Sequence, residues 1–167
     1  MIATPSIQLH RASWSELSLD EFYEIARLRY AVFALEQRVD DEDLDGRDDL
    51  PDTEHWWFSK PDTAVVCYLR VLRPADDEKQ PVGVPAAAWV IGRMATAQHA
   101  RGQGLAHDLL EAVLMRRPEQ PFLLHAQLHA RGLYERLGFV PFGEVYDEAG
   151  IQHIGMYRAA LASRVNT

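Results

Sequence analysis

The sequence of 167 residues predicts a single domain with an α+β fold, built around a strand, a glycine-rich turn, a helix and a second strand. Two observations predict it. Apolar strand-like stretches alternate with stretches of helical periodicity, and the segment Gly102-Gln103-Gly104 stands between the two kinds. No internal repeat or long linker divides the chain, whose length suits one domain. Because such crossovers are right-handed, the two flanking strands are expected to be parallel.

The N-terminal part is predicted to contain a helix followed by an acidic loop. Ser18 and Glu21 have the spacing of a capping box, and the apolar residues after them recur at helical intervals. This pattern predicts a helix, or a helix with a break, over residues 19–36. The next segment, residues 38–54, is rich in acids and contains glycine and proline, which is typical of a surface loop.

The rest of the chain alternates strands and helices. Two apolar stretches separated by a Pro-Asp pair predict a β-hairpin, and a polar stretch with proline and glycine then predicts a loop over residues 74–85. A strand, an amphipathic helix, a short buried strand, a short helix and two final strands follow. The hairpin strands are residues 55–60 and 63–72, and the later elements are residues 86–97, 104–116, 122–126, 130–137, 140–146 and 152–158.

The formal net charge of −8 comes from one segment. Between Asp40 and Glu54 there are nine acids and one base, whereas the rest of the chain has sixteen of each. Phosphate binding needs a basic face, so nucleic acid is a poor partner. A concentrated negative patch attracts cations, and a cationic substrate is therefore compatible with this sequence.

Membrane spans, secretion and disulfides are not expected. No apolar run approaches the ~18–20 residues needed to cross a bilayer, and the N-terminus lacks the pattern of a secretory signal. Cys67 is the only cysteine, which excludes an internal disulfide and a multi-cysteine zinc site. We expect it to pack as a small hydrophobe, in a cytoplasmic protein that binds no membrane.

One acidic motif is similar to the first half of an EF-hand calcium loop. Asp41, Asp43 and Asp45 alternate along the chain and are followed by Gly46. The twelfth position of the loop is Asp52, where a calcium loop needs a bidentate glutamate. The sequence therefore predicts no metal site, and a calcium-binding protein is kept only as an alternative.

The glycine turn suits an anion. Residues 101–106 read Arg-Gly-Gln-Gly-Leu-Ala and lead directly into the predicted helix. Glycines let backbone N–H groups approach an anion closely, and the N-terminus of the helix adds a partial positive charge. Arg101 could add a charge-assisted contact. The same residues also suit a tight turn that needs glycine only for its dihedral angles, and they match neither a dinucleotide fingerprint nor a P-loop.

Three segments together indicate a family. Residues 101–106 match the signature Arg/Gln-x-x-Gly-x-Gly/Ala, and residues 127–139 end in Tyr-Glu-Arg-Leu-Gly-Phe. With these motifs and the stretches 28–37 and 144–156, the sequence resembles the GCN5-related N-acetyltransferases, in the branch often called ElaA-like. The resemblance covers about residues 10–160. It implies an α/β/α sandwich with a mixed central sheet whose two parallel strands splay apart.

The resemblance implies acetyl-CoA as the co-substrate. Backbone groups of the strand before the turn would pair with its pantetheine arm as a false extra strand. The amides of the turn would hold the pyrophosphate, and Gln127, where the family often has asparagine, would bind the same arm. The implied cofactor-binding residues are Met94, Thr96, Arg101, Gly102, Gln103, Gly104, Leu105, Ala106 and Gln127.

The resemblance also implies direct transfer of the acetyl group to a primary amine. Tyr134 matches the family's tyrosine near the thioester sulfur, and its phenol would protonate the leaving thiolate. Backbone N–H groups near residues 94–96 would stabilise the oxyanion. The general base is open, and a base that acts through water is not excluded. The candidate bases are Glu36, His153, His55 and Glu144.

The acceptor and the exact activity stay open. The acidic loop is expected to form a rim of the acceptor site and indicates a cationic small-molecule or peptidyl amine. Exposed strands near the C-terminus would permit a homodimer. Two alternatives are an acyl-CoA-binding sensor without turnover and an acyltransferase that uses a longer acyl thioester. Residues 28–37 are also faintly similar to acyl-homoserine-lactone synthases, which share this fold.

Overall fold

The computed structural model describes residues 7–62 and 64–161, which form one mixed sheet with helices on both faces. The sheet contains the strands β1 (Gln8–Ser13), β2 (Glu54–Ser59), β3 (Val65–Leu72), β4 (Trp89–Thr96), β5 (Phe122–Gln127), β6 (Val140–Glu148) and β7 (Ile151–Arg158). Their order is β1-β2-β3-β4-β5-β7-β6. All neighbours are antiparallel except β4 and β5, which are parallel, as the crossover predicted.

The first helix carries the predicted cap and the predicted break. The N–H of Glu21 donates to the Ser18 hydroxyl at 3.2 Å, and the Glu21 carboxylate accepts from the N–H of Ser18 at 2.9 Å. Helix α1 (Leu19–Arg29) then widens into a π-helical segment (Tyr30–Glu36). Two further helices are α2 (Leu105–Arg116) and α3 (Arg131–Arg136). π-Helical segments are often found at functional sites.

Strand β1 was not predicted from the sequence. It lies at the edge of the sheet and pairs with β2 from Gln8↔Ser59 to Ser13↔Glu54. Most of its residues are at least partly exposed, with Ala12 as the buried exception. An edge strand of this kind lacks the alternation of buried and exposed residues on which a sequence-based prediction depends. Hydrogen bonds to β2 therefore hold β1 in the sheet, and the sequence of β1 alone does not indicate a strand.

The core lies on both sides of the sheet. Helix α2 packs Leu109, Leu110 and Val113 against one face, and α1 packs Ile25 and Leu28 against the other. Burial of each such side chain is worth roughly 1.5–3 kcal/mol. The result is the α/β/α sandwich that the resemblance implied.

Strands β4 and β5 separate soon after they pair. They are joined only at Trp89↔Phe122, Val90↔Leu123 and Ile91↔Leu124, although both strands continue beyond these pairs. A bulge lies just past the last pair, where β4 inserts one extra residue opposite β3. Arg93 in this bulge has φ of 54°, a conformation that non-glycine residues rarely adopt. The splay predicted from the family resemblance is thus present, and it opens a cleft in the middle of the sheet.

Candidate functional site

The cleft has a volume of about 1220 Å³ and lies where β4 and β5 diverge. Its walls come from the π-helical segment, the start of α2, the bulge of β4 and the free ends of β5 and β7. Beyond Ile91, no described strand pairs with the β5-facing edge of β4. The cleft therefore exposes extended backbone on which an extended ligand could form main-chain hydrogen bonds.

The glycine turn brings the N-terminus of α2 to this cleft. Gly102 and Gly104 have φ of 73° and 80°, so both need the left-handed conformation that glycine adopts without strain. Gly104 is the N-cap of α2, and its carbonyl accepts the first helical hydrogen bond, from Asp108 at 3.0 Å. The preceding N–H groups of the helix have no intrahelical acceptor. The turn can be both a tight turn that requires glycine and an anion-binding site. The dihedral angles that require glycine also leave these amides free to face an anion.

Arg101 and Glu36 are bound to each other. The guanidinium donates two hydrogen bonds of 2.7 Å to the two oxygens of the Glu36 carboxylate, and its Nε donates to the Thr96 carbonyl at 3.1 Å. The hydrogen bond from Arg101 lowers the pKa of Glu36. A carboxylate held ionised in this way is a weak proton acceptor. This geometry does not favour Glu36 as the general base. The role of Glu36 as a base stays a prediction from the resemblance.

A second side-chain contact crosses the cleft beside the Glu36–Arg101 pair. The amide of Gln127 donates to Gln37 at 2.9 Å, and the amide of Gln37 donates back at 3.3 Å. We call these two contacts, Glu36–Arg101 and Gln37–Gln127, the bridge. The bridge joins the end of the π-helical segment to the glycine turn and to β5, so a ligand in the cleft would lie beside it or displace it.

If Arg101 contacts coenzyme A as the resemblance implies, replacing Glu36 with glutamine is expected to tighten coenzyme A binding about two- to fivefold. The substitution removes a negative charge that competes with phosphate for Arg101, and an exposed ion pair of this kind is worth about 0.2–1 kcal/mol. Isothermal titration calorimetry of Glu36→Gln with coenzyme A measures the effect, with Glu111→Gln on the exposed side of α2 as control. Equal affinities for Glu36→Gln and the parent protein would show that Arg101 does not contact the coenzyme.

Tyr134 lies in the cleft wall. It is buried, its ring packs edge-on against Phe139 at 6.2 Å, and its hydroxyl makes no hydrogen bond to any residue in the described ranges. Burial, and then the neighbouring Cys67 thiol, raise the pKa of Tyr134 to about 12. The phenol is therefore protonated at neutral pH and able to donate a proton. These properties suit the acid role that the resemblance implies.

Met94 and Thr96 line the cleft, and their side chains also contact the core. Met94 packs against the α2 side of the core, and the Thr96 hydroxyl lies 3.3 Å from the Cys67 sulfur. Burial raises the pKa of the Cys67 thiol to about 11, which suits a packed residue and not a nucleophile. The backbone groups of Met94 and Thr96 lie on the edge of β4 that has no partner strand in the described ranges, as the backbone pairing implied by the resemblance requires.

The acidic segment is less negative at its surface than its sequence indicates. Its carboxylates fold onto arginines from elsewhere in the chain. Asp48 binds Arg29 at 2.7 Å and Arg70 at 3.0 Å, and Asp45 also binds Arg70 at 2.7 Å. Asp43 binds Arg29 at 3.0 Å. The expectation of a solvated acidic patch is thus only partly right, and charge alone is a weaker reason for a cationic acceptor.

The same ion pairs engage the carboxylates of the calcium-like spacing. In the part of the chain that the structure describes, no group of three or more metal-binding side chains comes together. Asp45 binds Arg70 and Arg93, which lower its pKa against the opposing effect of burial. Carboxylates already engaged by guanidinium groups cannot turn toward a cation without breaking these pairs.

His55 is not at the surface. The sequence kept His55, at the start of the predicted strand 55–60, among the candidate bases, but the side chain is fully buried in β2. Its Nε2 lies 2.9 Å from the Asp48 carbonyl and its Nδ1 lies 2.8 Å from the Tyr68 hydroxyl. Burial lowers the pKa of His55. It is a structural histidine that cannot reach a substrate, so it is removed from the candidate bases.

The other two candidate bases lie on β6 and β7. His153 lines the cleft, its Nδ1 lies 2.8 Å from the Ile151 carbonyl, and its ring stacks on Tyr146 with centroids 5.9 Å apart. Glu144 is exposed on β6 and is not among the residues that line the cleft. The geometry keeps His153 as a candidate and gives Glu144 no contact with the site.

Sequence reasoning missed three polar residues in the cleft. Glu78 comes from the loop before β4, His125 from β5 and Tyr146 from β6, and hydrogen bonds connect them. No motif joins these positions, since they lie far apart in sequence. A polar histidine within the otherwise apolar stretch Phe122–Ala126 was the only available signal.

Comparisons with known proteins agree with this geometry. A family model described as an acetyltransferase (GNAT) domain matches residues 34–159. The protein ElaA of Escherichia coli K12 is 38% identical over 151 residues, which covers 88% of this chain and 93% of that protein. The crystal structure of Escherichia coli ElaA superimposes with a TM-score of 0.77 at 36% identity, covering 92% of this chain and 99% of the other.

A second solved structure extends the comparison. A crystal structure described as an acyl-CoA N-acyltransferase from Pseudomonas aeruginosa superimposes with a TM-score of 0.79. It is 38% identical, and the match covers 92% of this chain and all of the other. Among the described residues, no helix has the length and apolar character to cross a membrane.

Proposed function

This chain belongs to the family of GCN5-related N-acetyltransferases, and from that premise we propose that it transfers an acetyl group from acetyl-CoA to a primary amine. The family is one of acyl-CoA-dependent N-acyltransferases. Acetyl as the transferred group, and the site residues named below, are the specific parts of this proposal.

The observation that carries the proposal is the divergence of β4 and β5 above an exposed helix N-terminus. An extended pantetheine arm matches the free backbone of β4 near Met94 and Thr96, where main-chain hydrogen bonds would hold it. The amides of residues 101–106 would then receive the pyrophosphate, because a helix N-terminus favours anions. Gln127 would reach the same arm once its pairing with Gln37 gives way.

The chemistry follows from the groups around the thioester. The amine nitrogen attacks the thioester carbonyl, and the C–S bond breaks without a covalent enzyme intermediate. N–H groups near residues 94–96 would stabilise the oxyanion, and Tyr134 would supply a proton to the departing thiolate. The proton that the attacking nitrogen loses as the amide forms would pass to solvent, from which the Tyr134 phenolate regains its proton. The position of Tyr134 in the cleft wall, with no protein partner for its hydroxyl among the described residues, supports the acid role.

The acceptor is proposed to be a cationic small-molecule or peptidyl amine. Several carboxylates line the cleft, including Asp41 and Glu42 from the acidic segment and Glu148 from β6. A negative cleft attracts cations and raises their local concentration. Arginines neutralise Asp43, Asp45 and Asp48 of the acidic segment, so the proposal rests on the other carboxylates of the cleft. A homodimer and a cytoplasmic location remain predictions.

A thiol-release assay with a panel of primary amines tests this proposal. Acetyl-CoA, propionyl-CoA and longer acyl-CoA thioesters serve as donors, and calorimetry measures the binding of each. We expect acetyl-CoA to bind and to release thiol only when an amine is present. Binding without release across the whole panel would indicate an acyl-CoA sensor, and faster release from longer donors would indicate the other acyltransferase activity. No binding of any donor at millimolar concentration would overturn the proposal.

A further inference from the structure

A chain of three polar side chains lies in the cleft wall on the α1 side of the sheet. The Tyr146 hydroxyl is 2.6 Å from Nδ1 of His125, and Nε2 of His125 is 2.8 Å from the Glu78 carboxylate. The three residues come from β6, β5 and the loop before β4. We call this chain the relay. It lines the same cleft as Tyr134 and Gln127.

The hydrogen bonds determine the direction of the relay. The hydrogen bond with His125 lowers the pKa of Glu78, so this carboxylate is ionised and can only accept. Nε2 of His125 therefore carries the proton that Glu78 accepts, and Nδ1 is left as the acceptor. The Tyr146 hydroxyl must then donate to Nδ1. Burial, and then the charges of Glu148 and Glu78, raise the pKa of Tyr146 to about 12, which keeps this hydroxyl protonated at rest.

The surroundings hold the relay in place. The Glu78 side chain is 12% exposed and that of His125 29% exposed, so their hydrogen bond is largely shielded from water. The Tyr146 ring is stacked on His153, and it lies edge-on to His125 with centroids 5.9 Å apart. The arrangement resembles a Ser-His-Asp triad in its logic, with a phenol in the place of the serine hydroxyl.

The position of His125 on β5 places the relay at the open part of the cleft. His125 and Gln127 are two residues apart on β5, so strand alternation places both side chains on the same face. Gln127 stands where β5 has already separated from β4. The relay therefore lies beside the end of the splay, on the opposite face of the sheet from the core that α2 packs against.

We propose that Tyr146 accepts the proton of the acceptor amine and that His125 and Glu78 are the positioning residues that make this transfer favourable. This inference rests on the proposed function and names the general base that the sequence left open. An ammonium N–H bond breaks and its proton moves to the Tyr146 oxygen, while the hydroxyl proton of Tyr146 moves to Nδ1 of His125. The imidazolium is stabilised by Glu78. The neutral amine then attacks the thioester, and the imidazolium later returns its proton to solvent.

This assignment agrees with the surroundings of the other candidates. Glu36 is engaged by two hydrogen bonds from Arg101, and His55 is buried away from the cleft. His153 is the remaining competitor, because its Nε2 is not used by the Ile151 carbonyl. Tyr146 lies between His153 and His125, so variants of these histidines separate the two assignments.

The first test determines which ring nitrogen of His125 carries the proton. In protein labelled with 15N-histidine, two-bond 1H–15N correlation spectra report which imidazole nitrogen carries the proton. We expect His125 to be the Nε2–H tautomer, assigned by loss of its signals in His125→Ala. A His125 ring protonated at Nδ1 alone would overturn the relay, because Nδ1 could not then accept a proton from Tyr146.

The second test is kinetic, with acetyl-CoA as donor and pentane-1,5-diamine or an Nα-blocked lysine as the acceptor amine. General acid–base groups contribute about 10²–10⁴-fold, so Tyr146→Phe is expected to lower kcat about 100-fold with unchanged KM for acetyl-CoA. His125→Ala is expected to lose a similar factor and to regain activity when imidazole is added. Glu78→Gln is expected to lose about tenfold, in line with a positioning role.

Matched variants and outcomes separate this inference from the proposed function. Tyr23→Phe on α1 and Glu119→Gln after α2 are exposed controls outside the cleft. If the parent protein turns over and the relay variants keep its kcat, the relay is wrong and the transferase function stands. A 100-fold loss in His153→Gln with normal His125→Ala would move the base to His153. If the parent protein binds no acetyl-CoA by calorimetry, the proposed function fails and the relay fails with it.

Discussion

Replacing Arg29 with methionine is expected to lower the free energy of unfolding by about 3–5 kcal/mol, the cost of breaking a buried ion pair. Arg29 is fully buried at the end of α1. Its guanidinium donates to Asp48 at 2.7 Å and to Asp43 at 3.0 Å. Methionine fills similar space without these hydrogen bonds, which leaves Asp48 supported only by Arg70. The expected loss therefore lies toward the lower end of this range.

Urea denaturation of Arg29→Met measures this effect, and Arg27→Met is its matched control. Arg27 lies on the same helix, is 62% exposed and pairs with Glu24 at 2.7 Å. Water screens an exposed helix pair of this spacing, so we expect Arg27→Met to lower the free energy of unfolding far less than Arg29→Met. Equal losses of unfolding free energy in the two variants would show that the buried ion pairs of Arg29 stabilise the fold no more than the exposed pair of Arg27 does.

Replacing Tyr134 with phenylalanine is expected to lower kcat about 100-fold, the lower limit of what a general acid contributes. The change removes one oxygen, which makes no hydrogen bond within residues 7–62 and 64–161, so the fold should be undisturbed. The affinity for acetyl-CoA should also be unchanged, because the phenol is proposed to act only on the departing sulfur. The loss should therefore appear in kcat and not in the dissociation constant.

Steady-state thiol release and calorimetry on Tyr134→Phe together measure this prediction. Tyr23→Phe is again the control, since Tyr23 is exposed on α1. Unchanged turnover in Tyr134→Phe would remove the acid role and leave protonation of the thiolate to water. A lower affinity for acetyl-CoA in Tyr134→Phe would show that the Tyr134 hydroxyl contributes to binding the donor.

Much of the fold could be predicted because local patterns were strong. The helix expected at residues 104–116 is found as Leu105–Arg116, and the strand expected at 122–126 is found as Phe122–Gln127. The capping box at Ser18 and the parallel crossover are also confirmed. β1 was missed because its stability comes from a partner about 45 residues away in the chain, which no local pattern records.

The candidate site could be predicted only in part. The glycine turn and Tyr134 lie in short contiguous motifs, so the resemblance could place them. The relay joins three segments, and His125 and Tyr146 differ from their neighbours by no periodicity. The net charge of the acidic segment was the least reliable basis for predicting the site, because a count of acids does not show which of them form ion pairs with arginines.

The amino-acid order by itself determined the elements of this protein other than β1, the sharp turn at Gly102 and Gly104, and the family, since each depends on residues close together in the chain. Only the tertiary structure decided which charges were neutralised and which polar groups met in the cleft. Glu36 and Arg101 are 65 positions apart, as Arg29 and Asp48 are 19 apart. Hydrogen bonds and ion pairs act over a few ångströms, so their partners are settled by the folded backbone and not by distance along the chain.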